Sequence, residues 1–143
     1  MIKRYINIIL PNKPFTVSNF DNVNIDNIDL IVNSSVDAIY CGILNKIPEQ
    51  SVDHCIANLC SKVRPAGSLI LGLMDIRNIC KNFSDNRISN QEFIGLVNEL
   101  YNVYFITDFE KLYKENLSKQ FIVANTELKN NILTISLQRK HNG

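Results

Sequence analysis

Asp21, Asp37 and Asp75 each stand at the edge of an apolar or extended run, where a carboxylate could bind, position or exchange a proton. Asp75 follows Ser68-Leu69-Ile70-Leu71-Gly72-Leu73-Met74, at the strand end that delivers residues to ligands in open α/β sheets. It could equally cap the segment after it. Asp21 opens a polar turn with Asn22. The thiols of Cys41, Cys55, Cys60 and Cys80 match no CxxC spacing, and Cys41 and Cys60 read as small buried hydrophobes. A metal would need further ligands, and the only imidazoles are His54, on an expected helix, and His141, in an expected tail. The five glycines are scattered, so no phosphate-cradling loop is present, and Ser, His and Asp form no nucleophile motif. Tyr101, Tyr104, Phe105 and Phe109 form an aromatic group that is either core or an exposed contact patch.

The elements that must position these residues follow from the hydrophobic pattern. Tyr5 to Leu10 is a continuous apolar run, as in a strand buried on both faces, and Pro11-Asn12-Lys13-Pro14 ends it. Phe15 to Asp21 reads as extended, Asn22 to Asn27 as a polar loop, and Ile28 to Val32 as a short strand. After a turn at Asn33-Ser34-Ser35 comes a strand from Val36 to Ile43. Pro48 is expected at the first helical position of an amphipathic helix to Val63, with Val52, Cys55, Ile56, Leu59, Cys60 and Val63 on one face. Pro65-Ala66-Gly67 reads as a stop before the most apolar strand, Ser68 to Met74. Ile76 to Asn86 fits a helical turn and a loop. Ser89-Asn90-Gln91-Glu92 and Thr107-Asp108-Phe109-Glu110 read as capping boxes, the second opening a short helix through Leu117. Phe121 to Asn125 and Ile132 to Leu137 form a hairpin about Lys129-Asn130-Asn131. Such an order predicts an α/β fold with a mostly parallel sheet and an antiparallel strand at one edge.

Ser35-Val36-Asp37-Ala38-Ile39-Tyr40 before the long helix, Val63-Arg64-Pro65-Ala66-Gly67 after it, and Leu69 to Asp75 beyond resemble the small class I S-adenosylmethionine (SAM)-dependent methyltransferases. Their pattern runs S-x-D-x-I-Y, a Leu-Glu-His helix entry, L-K-P-G-G, then an apolar strand ending near P-D. The resemblance implies one methyltransferase-like domain over residues 1–143, a Rossmann-like sandwich with a mostly parallel sheet and a C-terminal antiparallel hairpin. It implies that Asp37 is a signature of the fold, and that Asp21 would bind the ribose hydroxyls if SAM binds. The departures are at the donor site. The family's glycine-rich turn, which admits SAM close to the backbone, aligns with Ile9-Leu10-Pro11. The helix between the first two strands is missing. The family's Glu-His pair aligns with Asn45-Lys46, which removes any acid–base role there.

A retained fold beside a lost donor motif points to a non-catalytic methyltransferase-like module without a cofactor. It would act through protein–protein contacts, in a homo- or hetero-oligomer, as a subunit or structural component of a larger assembly such as a virion. The alternative is an active SAM-dependent methyltransferase with an atypical donor loop. A third reading is an unrelated α/β interaction domain, which would lack the terminal hairpin. Composition narrows the partners. The 16.3 kDa chain is 45% hydrophobic and 20% charged, globular values, with a net charge of +1. There is no basic excess for nucleic acid or an anionic membrane. The opening apolar run is too short for a secretory signal or a membrane span. With free thiols, this favours a reducing compartment, the cytoplasm, or a virion.

Overall fold

A computed structural model describes residues 3–13, 15–104 and 106–141. Six strands form one sheet in the order β2-β1-β3-β4-β6-β5. They are β1 (Tyr5–Ile9), β2 (Asp21–Asn24), β3 (Val36–Cys41), β4 (Val63–Met74), β5 (Phe121–Lys129) and β6 (Ile132–Arg139). β1 pairs in parallel with β2 and β3, and β3 with β4; β6 is antiparallel to both β4 and β5. The expected mostly parallel sheet with a terminal antiparallel hairpin is therefore present. The hairpin turns on Asn130 and Asn131, with φ of 52° and 66°. A two-residue turn matching strand twist needs this left-handed pair, which asparagine tolerates.

Side chains alternate across the sheet with period two. Ile6 and Ile8, Ile39 and Cys41, Leu69, Leu71 and Leu73, Ile135 and Leu137 point to one face and form the core. Helix α1 (Glu49–Lys62) lays Val52, Cys55, Ile56, Leu59 and Cys60 on that face. Helix α4 (Ile106–Leu112), continued by a π-helix at Tyr113–Leu117, adds Phe109, Leu112 and Leu117. Helices α2 (Ile76–Ser84) and α3 (Asn90–Asn98) pack against each other through stacked Phe83 and Phe93, 4.2 Å apart. No described residue of either joins the main core.

Several local expectations need correction. The second strand is not Phe15–Asp21; it begins at Asp21 and occupies part of the expected polar loop. Its pattern is polar because it is a short edge strand with one inward apolar residue, Val23. Ile28–Val32 is not a strand. Ile25–Leu30 is a 3-10 helix, begun where the Asn24 side chain accepts the Asp26 N–H at 2.9 Å. Ile28 and Ile31 are buried while Leu30 and Val32 are 80% and 69% exposed. A three-residue inward spacing is the 3-10 period. Three strands, not four, thus precede α1. Pro48 caps α1 from outside rather than opening it. Ile76–Ser84 is a helix rather than a helical turn and a loop. Thr107 lies inside α4, which starts at Ile106, so it is not a cap. The Ser89–Glu92 capping box forms, with both reciprocal hydrogen bonds.

Pro65-Ala66-Gly67 does not stop the chain before β4. It is a bulge inside β4, between the pairs Val36↔Val63 and Ala38↔Ser68. Ala66 takes φ 66°, and a Cβ on Gly67 would stand 2.8 Å from the Asp37 carbonyl oxygen. Only glycine fits the second position. Asp37 secures the same corner. Its Oδ2 accepts the Arg4 N–H at 2.7 Å, and its Oδ1 lies 3.4 Å from Arg64 Nη1.

Candidate functional site at the carboxyl ends of β1, β3 and β4

Ligands of open α/β sheets bind beyond the carboxyl ends of the strands. Here three segments meet there: the turn after β1, the 3-10 turn Leu44–Lys46 after β3, and the stretch Leu100–Tyr104 after α3. A cleft of about 440 Å³ lies between them, lined by Leu10, Lys13, Lys46 and residues 98–101.

Of Ile9, Leu10 and Pro11, where the resemblance expects a glycine turn, Leu10 lines the cleft and also packs against the core. Its carbonyl accepts the Lys13 N–H at 3.3 Å, which closes a tight turn. The chain then crosses to β2 without a helix among its described residues. Buried Asn7 donates to the Phe15 carbonyl at 2.9 Å and to Asn22 Oδ1 at 3.0 Å, and Phe20 lies against Tyr5.

The Asn45 position carries a buried amide network instead of a Glu-His pair. Asn45 Oδ1 accepts the Met74 N–H at the end of β4, at 2.7 Å. Its Nδ2 donates to Asn102 Oδ1 and to the Tyr104 carbonyl, at 3.3 and 3.4 Å. Its carbonyl accepts the N–H groups of Tyr101 and Asn102. Asn102 in turn donates to the carbonyls of Leu44 and Ile47, at 2.8 and 2.6 Å, and accepts the Tyr104 N–H at 2.9 Å. Asn45 and Asn102 are 4% and 7% exposed, so these bonds satisfy groups that water does not reach. Tyr104 extends the network, donating its hydroxyl to Asp53 Oδ1 at 2.7 Å. Burial, then the bond and charge of Asp53, push the Tyr104 hydroxyl well above its ordinary value. The arrangement fixes the 100–104 stretch across the sheet end.

The other expected residues lie elsewhere. Asp21 begins β2 opposite Ile6, at the amino ends of the strands, whereas Asn24, opposite Ile9, is at the carboxyl ends. Asp75 caps α2, accepting the Asn78 N–H at 3.1 Å. The aromatic group divides: Tyr104 and Phe109 are buried, Tyr101 is exposed, and Phe105 lies outside the described residues. Cys41, Cys55 and Cys60 are buried and Cys80 is exposed. Cys41 is pushed well up by its hydrogen bond with Cys55 and by burial, and burial pushes Cys60 up to about 12. His54 and His141 are exposed, and no group of three His, Cys, Asp or Glu side chains among the described residues could hold a metal. No helix among them is long and apolar enough to cross a membrane.

Sequence reasoning missed Asn102. One asparagine between Tyr101 and Val103 carries no periodic signal, and its role needs Asn45 beside it.

No known family's sequence profile matches this chain, and no curated protein matches it in sequence. Solved structures do match in three dimensions. An O-methyltransferase family protein from Burkholderia thailandensis superposes over 87% of this chain with a TM-score of 0.58 at 12% identity. The PH0226 protein from Pyrococcus horikoshii does so over 86%, at 0.56 and 16% identity. A candidate SAM-dependent methyltransferase from Methanococcus maripaludis does so over 85%, at 0.52 and 12% identity. The match spans 36%, 60% and 55% of those three chains, respectively. At such identities the likeness speaks for the backbone arrangement alone, and that arrangement is a class I methyltransferase-like fold.

Proposed function

We propose that this chain is a non-catalytic methyltransferase-like module that works through protein contacts, as a subunit or structural part of a larger assembly, a virion among the settings. The observation that carries the reading is the state of the sheet end. Leu10 packs on the core where a donor would need bare backbone, and the Asn45–Asn102 network straps the 100–104 stretch across the neighbouring strand ends. The residues present do not fit SAM. Asp21, the one carboxylate the resemblance offers for the ribose, stands at the opposite end of β2.

Isothermal titration with SAM and with S-adenosylhomocysteine tests this. No heat beyond dilution is expected. Micromolar binding, about 8 kcal/mol, would overturn the reading and favour an active enzyme with an atypical donor loop. The cleft of about 440 Å³ beside Leu10 would then be the place to map it.

A further inference from the structure

The core helices cover one face of the sheet. On the other, Ala38 and Tyr40 of β3, Ser68 and Ile70 of β4, and Thr134 and Ser136 of β6 all remain part-exposed, although β3, β4 and β6 are interior strands. Their register partners across the sheet share that face: Ala38↔Ser68, Tyr40↔Ile70, Ile70↔Ser136 and Gly72↔Thr134. Mostly parallel sheets ordinarily have both faces covered, because their connections lay helices on each. Here the β1–β2 connection lays only a loop over β1, and the 3-10 helix before β3 packs into the core.

We propose that a second copy of this chain packs on the uncovered face, sheet against sheet about a two-fold axis; this rests on the reading of the chain as a contact module. Two features fit a copy of itself. The first is charge. The six part-exposed positions of β3, β4 and β6 are uncharged, Asp37 and Arg64 at the Ala38–Ser68 margin face each other at 3.4 Å, and the β5 edge adds one residue of each sign, Glu127 opposite Thr134 and Lys129 opposite Ile132. The face therefore does not repel itself, and it offers no net charge to select a charged partner. The second is area. Four strands spaced about 4.8 Å, over about seven residues of about 3.3 Å, present roughly 450 Å² in plan. Two copies with side-chain relief then bury about 1,200 Å², where specific interfaces begin.

Sedimentation equilibrium at micromolar concentration should give twice the 16.3 kDa chain mass. Ile70→Glu places an unpaired carboxylate in the contact and should weaken it at least about 100-fold, giving a monomer with an unchanged circular dichroism spectrum. Thr134→Arg should do the same on a different strand, and Ile94→Glu, on exposed α3, should stay dimeric. Hydroxyl-radical footprinting of the unaltered protein needs no variant. Tyr40 and Ile70 should be protected when concentrated and react several-fold faster on dilution, while Tyr101 should not change. A monomer at all concentrations, two folded variants that remain dimers, or concentration-independent footprints at Tyr40 and Ile70 would each overturn the proposal. The SAM titration separates the two readings. A monomer that binds no SAM removes the second copy and leaves the non-catalytic module. A dimer that binds SAM does the reverse.

Discussion

Asn45 and Asn102 meet side chain to side chain, Nδ2 to Oδ1 at 3.3 Å, across 57 residues of sequence. Between them they hold the ends of β3 and β4 and the 100–104 stretch in one hydrogen-bonded unit. In a buried place each amide has more value as a connector than as a reagent.

Asn102→Ala should therefore destabilise the protein by about 3 kcal/mol, because it orphans the Leu44 and Ile47 carbonyls and the Tyr104 N–H together. Asn45→Ala should cost a similar amount, and the double variant less than the two combined, since the singles break one shared network. Urea denaturation of the four proteins measures this; additive losses would mean the two amides act separately.

The bulge in β4 gives a prediction of opposite signs at adjacent positions. Ala66→Gly should stabilise by about 0.5–1 kcal/mol, because Ala66 holds a left-handed φ of 66° that suits glycine. Gly67→Ala should destabilise by 2 kcal/mol or more, about the cost of forcing a methyl onto the Asp37 carbonyl and Val63. Thermal melts of both variants decide it, and equal signs would show that the bulge relaxes freely.

Of the four cysteines, only Cys80 should react quickly with a disulfide reagent at pH 8. Cys60 holds its proton up to about 12, and Cys41 is raised by Cys55 and burial; the hydrogen bond with Cys41 lowers Cys55, which burial at 7% exposure shields from the reagent. Cys80→Ser should abolish the fast phase, and all thiols should react once the chain is unfolded. A fast phase that survives Cys80→Ser would show that one of the buried thiols is reached by local opening.

Stability should fall on the alkaline side. The folded-state value of Tyr104 lies above its ordinary 10.0, so the folded protein keeps a proton that the unfolded chain gives up. That contribution is full below pH 10.0 and declines above it, at about 1.4 kcal/mol per pH unit for this group. Tyr104→Phe should cost about 1 kcal/mol at pH 8, by leaving Asp53 without its donor. The gap between the two proteins should narrow as pH rises beyond 10.0. Urea midpoints across that range are the measurement, and parallel curves would place the titration elsewhere.

The strands that follow from the sequence are those with a neighbouring strand on each edge. β1, β3 and β4 are interior, so their runs are apolar enough to stand out, and α1 shows its inward stripe plainly. β2 is hidden because an edge strand with one inward side chain, Val23, looks like a polar loop. Ile28 to Val32 misleads in the other direction. Its apolar content suggests a strand, but Leu30 and Val32 face solvent, and a cap from Asn24 turns the chain into a 3-10 helix. That Ile9-Leu10-Pro11 carry no glycine is legible in the sequence itself. The Asn45–Asn102 strap is not, because hydrogen bonds between distant amides leave no local pattern.

The position of β6 bears on how the chain is made. β6 is interior in the sheet but is the last of the six described strands to be made, and it pairs with β4 along seven residue positions from Ser68 to Met74. Until residue 139 has emerged, the most apolar strand of the protein has an unpaired edge in a sheet that cannot finish. Unpaired strand edges invite association with other chains. The sheet is therefore completed only once β6 is made, and a slow pause before it would favour capture by chaperones or clumping of nascent chains.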